Sequence, residues 1–88
     1  MGIEIKGFLR CGADDAEIVR AALNDHIRLS REESGCELFE IEETEPGVFS
    51  IHERFVDQAA FETHTQRTRA SDWWAKTGHI PRDIEIVS

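Results

Sequence analysis

Cysteine, proline, glycine and positive charge are all scarce in this chain of 88 residues, which has only two Cys, two Pro and six Gly. Cys11 and Cys36 are too few for a disulfide scaffold, and their separation forms neither a CxxC redox motif nor half of a zinc site. Both read as reduced, partly buried small hydrophobes. Ten Lys and Arg against eighteen Asp and Glu leave a formal net charge of -8, which excludes the basic stripe of a nucleic-acid binder. The nearest approach to a basic patch is Arg67, Arg69 and Lys76 near Arg82, diluted by Asp72 and Asp83. It reads as a solvated face with room for a small anionic ligand at most.

No apolar run approaches a membrane span, and the opening Met-Gly-Ile-Glu-Ile-Lys has no signal-peptide core. A cytoplasmic protein without membrane partners is therefore expected. Phosphate-binding glycine loops, a dinucleotide fingerprint and a GxSxG nucleophile are missing, so no nucleotide cofactor is implied. The four histidines, 26, 52, 64 and 79, make no HxH, HxxxH or HExxH spacing, and no bound metal is expected.

What is present is an ordinary globular composition, 40% apolar and 32% charged, in a length that fits a single domain. A strand is expected over residues 3–11, with Ile3, Ile5, Phe8 and Leu9 suggesting cover on both faces. Asp14 and Glu17 resemble a capping box that starts a helix running to about Glu33, where Ser34-Gly35 stops it. Val19, Ala22, Leu23, His26 and Ser30 fall on one face of that helix. Strands over 36–43 and 48–56 flank Thr44-Glu45-Pro46-Gly47, a hairpin turn signal. Asp57 caps a helix from Gln58 to about Gln66, a second helical stretch runs from about Thr68 to Thr77, and a last strand spans Ile80 to Val87. This order is the βαββαβ pattern of a ferredoxin-like α+β fold with an antiparallel sheet.

Such a sheet should be polar on its helix-free face. The strand at 36–43 instead alternates Cys36 and Leu38 with Phe39 and Ile41. A second subunit covering that face is the expectation, giving a homodimer.

Two segments carry a resemblance. Arg31-Glu-Glu-Ser-Gly-Cys-Glu-Leu-Phe-Glu, followed by Phe49-Ser-Ile-His-Glu-Arg-Phe-Val-Asp-Gln-Ala-Ala-Phe-Glu-Thr-His64, resembles the antibiotic biosynthesis monooxygenase domain. That pattern has a helix ending in Glu-Pro-Gly-Cys, an aromatic strand, then Glu-x-Trp-x-Asp leading into a helix that carries a His. Ser34 replaces the common Pro and Phe55 stands where Trp is frequent. A second His often found after the first is absent from Thr65–Ala70. Haem-degrading relatives of the fold have an Asn in the first strand and a His in the last helix, and here Trp73-Trp74 occupies that region. The resemblance implies a dimeric α/β barrel and a cofactor-independent oxygenation of a quinol or phenol by molecular oxygen.

Candidate residues follow from face and parity. His64 shares a helix face with Phe61 and Thr65, and a neutral imidazole there is either a general base or a structural side chain bonded to the backbone. Glu53 shares strand parity with Phe49, Ile51 and Phe55, which puts a carboxylate on an apolar side. There it is either half of a buried salt bridge or an acid–base group with a raised pKa. His26 on the first helix is either a satisfied core residue or a third group aimed at the same cavity. Trp73 and Trp74 are adjacent, so at most one can face a pocket fully, for stacking or for packing. Under the resemblance His64 is the base, Glu53 or His26 orients it or the substrate, and Phe55 with Trp73 forms the wall. The same groups could run a small-metabolite isomerase, or line a non-catalytic binding pocket.

Overall fold

The computed structural model describes residues 2–87. Its elements run β1 (Ile3–Arg10), α1 (Ala13–Arg31), β2 (Cys36–Glu45), β3 (Val48–Phe55), α2 (Gln58–Arg69), α3 (Asp72–Thr77) and β4 (Arg82–Val87). The strands form one antiparallel sheet in the order β2-β3-β1-β4. This is the expected ferredoxin-like βαββαβ arrangement. Ile3, Ile5 and Leu9 of β1, Phe39 and Ile41 of β2, and Phe49, Ile51 and Phe55 of β3 are buried on the helix side. They meet Ala16 and Val19 of α1 and Trp73 of α3, which with Ile80 complete the core. No helix among the described residues is long and apolar enough to cross a membrane.

The hairpin forms where Pro46-Gly47 places it, because Gly47 takes φ 81°, a conformation that a side chain would strain. Its carbonyl accepts from Cys11 N–H at 2.9 Å, tying the turn to the end of β1. Gly35 is needed for another reason: a Cβ there would collide with that of Ala60 in α2. The loop after α1 thereby lies directly against α2, which matters for the site.

Several boundaries differ from the sequence reading. Gly12 caps α1 without a side-chain bond. Asp14 is therefore no cap: it sits with Asp15 inside the first turn, where acids favour the positive end of the helix dipole. At the other end α1 stops at Arg31 with Glu32 as its cap, so Glu33 lies in the loop rather than on the helix. α2 continues past Gln66 to Arg69, and the break comes at Ser71, whose hydroxyl caps α3 by accepting from Trp74 N–H. Thr68 and Arg69 thus stay on the same helix as His64.

The helix-free face is also more polar than expected. Lys6, Arg10, Glu40, His52 and Arg54 lie on it around Phe8. A register shift between Cys36 and Leu38 separates those two residues, and Cys36 packs toward the core. Among the described residues the two most exposed large apolar side chains lie instead at the sheet edge. Ile84 and Ile86 pair with Gly7 and Ile5, on the helix side of β4, yet remain 49% and 58% exposed.

Candidate active site

Because the helices leave β4 uncovered, a cavity of about 240 Å³ opens between them and the sheet. Ile5, Ile41 and Ile51 supply an apolar floor, with Glu53 beside them on β3. His26 enters from α1, while Phe61, His64, Thr65, Thr68 and Arg69 come from α2. Trp73 and Trp74 of α3 and Arg82 and Ile84 of β4 complete the lining.

Of the residues expected at the site, Glu53, His64, His26, Trp73 and Trp74 converge on this cavity. Phe55 does not line it. Fully buried, it packs behind His64 with ring centres 4.8 Å apart and props the imidazole. Trp73 is buried and stacks on His26 at 4.5 Å with planes 1° apart. Trp74 is half-buried beneath the guanidinium of Arg82, 5.0 Å from its ring centre. The other two histidines pair elsewhere, His52 with Glu4 at 2.6 Å and His79 with Asp15 at 3.2 Å.

His64 is held from both sides. Its Nδ1 lies 3.1 and 3.2 Å from the two oxygens of Glu33. Arg67 clamps Glu33 through its Nε and donates from Nη2 to Ser30 Oγ at 2.9 Å. The loop carboxylate therefore accepts a hydrogen bond from Nδ1–H and keeps the proton there, which leaves Nε2 as the basic nitrogen. Nε2 faces Thr68 Oγ1 at 3.4 Å and Glu53 Oε1 at 3.7 Å.

Electrostatics follow from burial. The Glu53 carboxyl is pushed up to about 7, first by desolvation, then by the nearby Glu33, with Arg82 opposing. Desolvation lowers His64, while Glu33 pulls the other way through charge and hydrogen bond. Near neutral pH a carboxyl that holds its proton part of the time thus sits beside a neutral imidazole. That is an acid next to a base. His26, buried and with no hydrogen-bond partner for Nδ1, is held down to about 3, mainly by desolvation.

The structure adds three participants to those expected from the sequence. Glu33 reads as the end of a helix, and nothing local marks it as the partner of a residue 31 positions away. Arg82 and Arg69 read as part of a solvated face, but both line the cavity. Arg67 of the same patch is spent on Glu33 and Ser30. Arg82 could have been found, since it shares strand parity with Ile84 and Ile86 and pairs with the buried Leu9. Among the described residues no three His, Cys, Asp or Glu side chains are gathered as a metal's ligand set.

The fold and this cavity define a ferredoxin-like α+β protein whose buried titratable side chains gather in an apolar, aromatic chamber. The pattern of the antibiotic biosynthesis monooxygenase family matches residues 4–76, and the chain belongs to that family. Among solved structures it is similar to a candidate antibiotic biosynthesis monooxygenase from Deinococcus radiodurans, at 28% identity and TM-score 0.78, covering 100% of this chain and 91% of that one. A protein from Shewanella oneidensis is 26% identical with TM-score 0.76, covering 98% and 88% of the two chains. A candidate monooxygenase from Nitrosomonas europaea, 19% identical, shares the fold with TM-score 0.83 over 100% and 97%. No curated protein matches the chain. Family membership supports monooxygenase chemistry in general.

Proposed function

We propose that this protein is a cofactor-independent monooxygenase that converts a phenolic or quinol substrate to a quinone. The observation that carries the reading is His64, with Nδ1 bonded to Glu33 and Nε2 turned toward Glu53 in the cavity. Nε2 removes the substrate's hydroxyl proton, and the phenolate passes an electron to O₂. The resulting radical and superoxide combine at a ring carbon, and the peroxide anion takes back the proton held on Nε2 to become a hydroperoxide. The freed imidazole then removes the proton on that carbon, the O–O bond breaks, and the departing hydroxide takes a proton from Glu53, which the imidazolium restores. Phenol and O₂ thus give quinone and water, with all the electrons supplied by the substrate. The protein contributes the base, the acid and a chamber that holds the ring dry between Trp73 and the isoleucine floor.

A second copy of the chain completes this reading. The exposed Ile84 and Ile86 lie at the edge beside the cavity, and a partner covering them would keep water from the mouth.

The test is oxygen uptake by metal-stripped protein with 1-naphthol and a panel of hydroquinones, against an autoxidation blank. Uptake above the blank with one quinone formed per O₂ is expected, falling by about a thousandfold in His64→Ala. Full uptake in that variant would remove His64 from the reaction. Absence of uptake across the panel, with proton exchange on the same compounds, would favour an isomerase instead.

A further inference from the structure

The cationic side chains of this acidic chain are mostly spoken for by carboxylates. Arg10 pairs with Asp83, Arg20 with Glu43, Arg28 with Asp25 and Glu32, Arg54 with Glu4, and Arg67 with Glu33. Arg31 gives its Nε to the Phe39 carbonyl. The two arginines that line the cavity differ. Neither Arg82 nor Arg69 has a carboxylate within 4.0 Å among the described residues, although Asp and Glu outnumber Lys and Arg by 18 to 10.

Arg82 is moreover fixed in place by neutral acceptors. Its Nη1 donates to the Thr77 and Ile80 carbonyls at 3.0 and 2.9 Å, and its Nη2 to Thr77 Oγ1 at 2.8 Å. Thr77 is in turn locked by its own bond to Trp73 O at 2.7 Å. These bonds leave Nε–H and the second Nη2 proton, the side-on fork that matches a carboxylate. Arg20 uses that same pair of nitrogens on Glu43, at 2.6 and 2.5 Å. Glu53 acts on Arg82 through space but lies outside ion-pair distance, and burial lowers the Arg82 pKa. A guanidinium held rigid, partly desolvated and without a counter-ion at the edge of an aromatic chamber is a preformed anion site. Arg69, over the Trp74 ring at 5.8 Å, brings a second positive charge to the same lining.

We infer that the cavity takes aromatic substrates bearing a carboxylate, which docks on the free fork of Arg82 with Arg69 beside it while the ring lies along Trp73 and Trp74. This deepens the oxygenase reading and rests on it only for the choice of cavity. A carboxylate fixed at Arg82 would orient the ring, and so decide which hydroxyl meets His64.

Binding without oxygen tests the inference apart from any turnover. Calorimetric titration of the intact protein with 1-hydroxy-2-naphthoate and with 1-naphthol, under argon, compares the same ring with and without the charge. The acid should bind about tenfold more tightly, the return on a charge-assisted hydrogen-bonded pair. Arg82→Gln should bring it down to the level of naphthol, and Arg82→Lys should restore part of the difference. Should Arg82→Gln fail to fold, having lost its ties to Thr77 and Ile80, Arg69→Gln decides, with an expected loss of about threefold for the acid and none for naphthol. Equal affinities in the wild type, binding of neither compound, or a preference untouched by these substitutions would each overturn the inference. A preserved preference without oxygen uptake would sink the oxygenase reading alone.

Discussion

Two walls of one cavity each present a buried histidine, and the two could hardly be less alike in chemistry. His26 and His64 are 4% and 5% exposed, with ring centres 6.0 Å apart. His26 is enclosed by aromatic rings, stacked on Trp73 and edge-on to Phe39 at 5.2 Å. Nothing offsets the cost of charging it, so it stays neutral down to about pH 3. His64 is buried to the same degree but has a carboxylate on Nδ1 and a second near Nε2. Burial by itself makes an imidazole inert. Burial beside a clamped carboxylate gives a base of fixed tautomer whose conjugate acid can form.

The most direct way to erase that difference is Glu33→Gln. Without the carboxylate, His64 becomes a second His26: desolvated, and free to place its proton on Nε2, where it cannot act as a base. Turnover should fall by about a thousandfold, within the range that a positioned general base contributes. Oxygen uptake checks it, with the Nδ1 and Nε2 shifts of His64 from nitrogen NMR reporting the tautomer. Near-wild-type turnover would mean that Glu33 only braces the loop.

Glu53→Gln should act next most strongly, costing about a hundredfold in turnover if the carboxyl supplies the proton to departing hydroxide. Wild-type activity should decline as pH rises through about 7, where Glu53 loses that proton, and this alkaline limb should vanish in the variant. The same substitution that lowers turnover should raise stability. Because the folded-state pKa is raised from 4.5 to about 7, folded protein keeps a proton that the unfolded chain has released. Glu53 therefore diminishes stability as pH climbs between those values, and the full cost applies above the upper one. Removing the charge should stabilise the protein at pH 8 by roughly 3 kcal/mol and change little below pH 4. Urea unfolding at the two pH values measures it, and an equal effect at both would exclude a protonation origin.

These groups differ in how openly the sequence displayed them. Glu53 and His64 could be found because each breaks a regular pattern: a carboxylate on the apolar parity of a strand, and an imidazole on the sheet-facing side of a short helix. The hairpin and its Pro-Gly turn were equally plain, since the turn's backbone requirement is local. Arg82 obeys the same parity rule as Glu53, in register with Leu9, but the charges near it in the sequence make it read as part of a surface patch. Glu33 had no pattern to break. Its role exists only because α1 ends early and Gly35 lets the loop lie against Ala60, a contact between distant segments that no local periodicity encodes. The bulge between Cys36 and Leu38 was hidden for a related reason: pairing partners, not alternation along one strand, determine where it falls.

The smallest effect belongs to His26→Phe, and its smallness is the point. A phenyl ring keeps the stack on Trp73 and the edge contact with Phe39 while removing an imidazole whose buried Nδ1 has no partner. Turnover should stay within about twofold, because a group neutral throughout the working range moves no proton. Stability at pH 7 should rise by up to about 1 kcal/mol as the unsatisfied polar atom disappears. Acid should reveal the rest. The folded pKa of His26 is depressed from 6.5 to about 3, so the unfolded chain gains a proton first and wild-type stability erodes as pH falls through that interval. The Phe variant should lack this contribution, leaving a shallower decline in thermal midpoint between pH 6.5 and pH 4. A large loss of turnover instead would make His26 a participant, and the two walls would then share the chemistry.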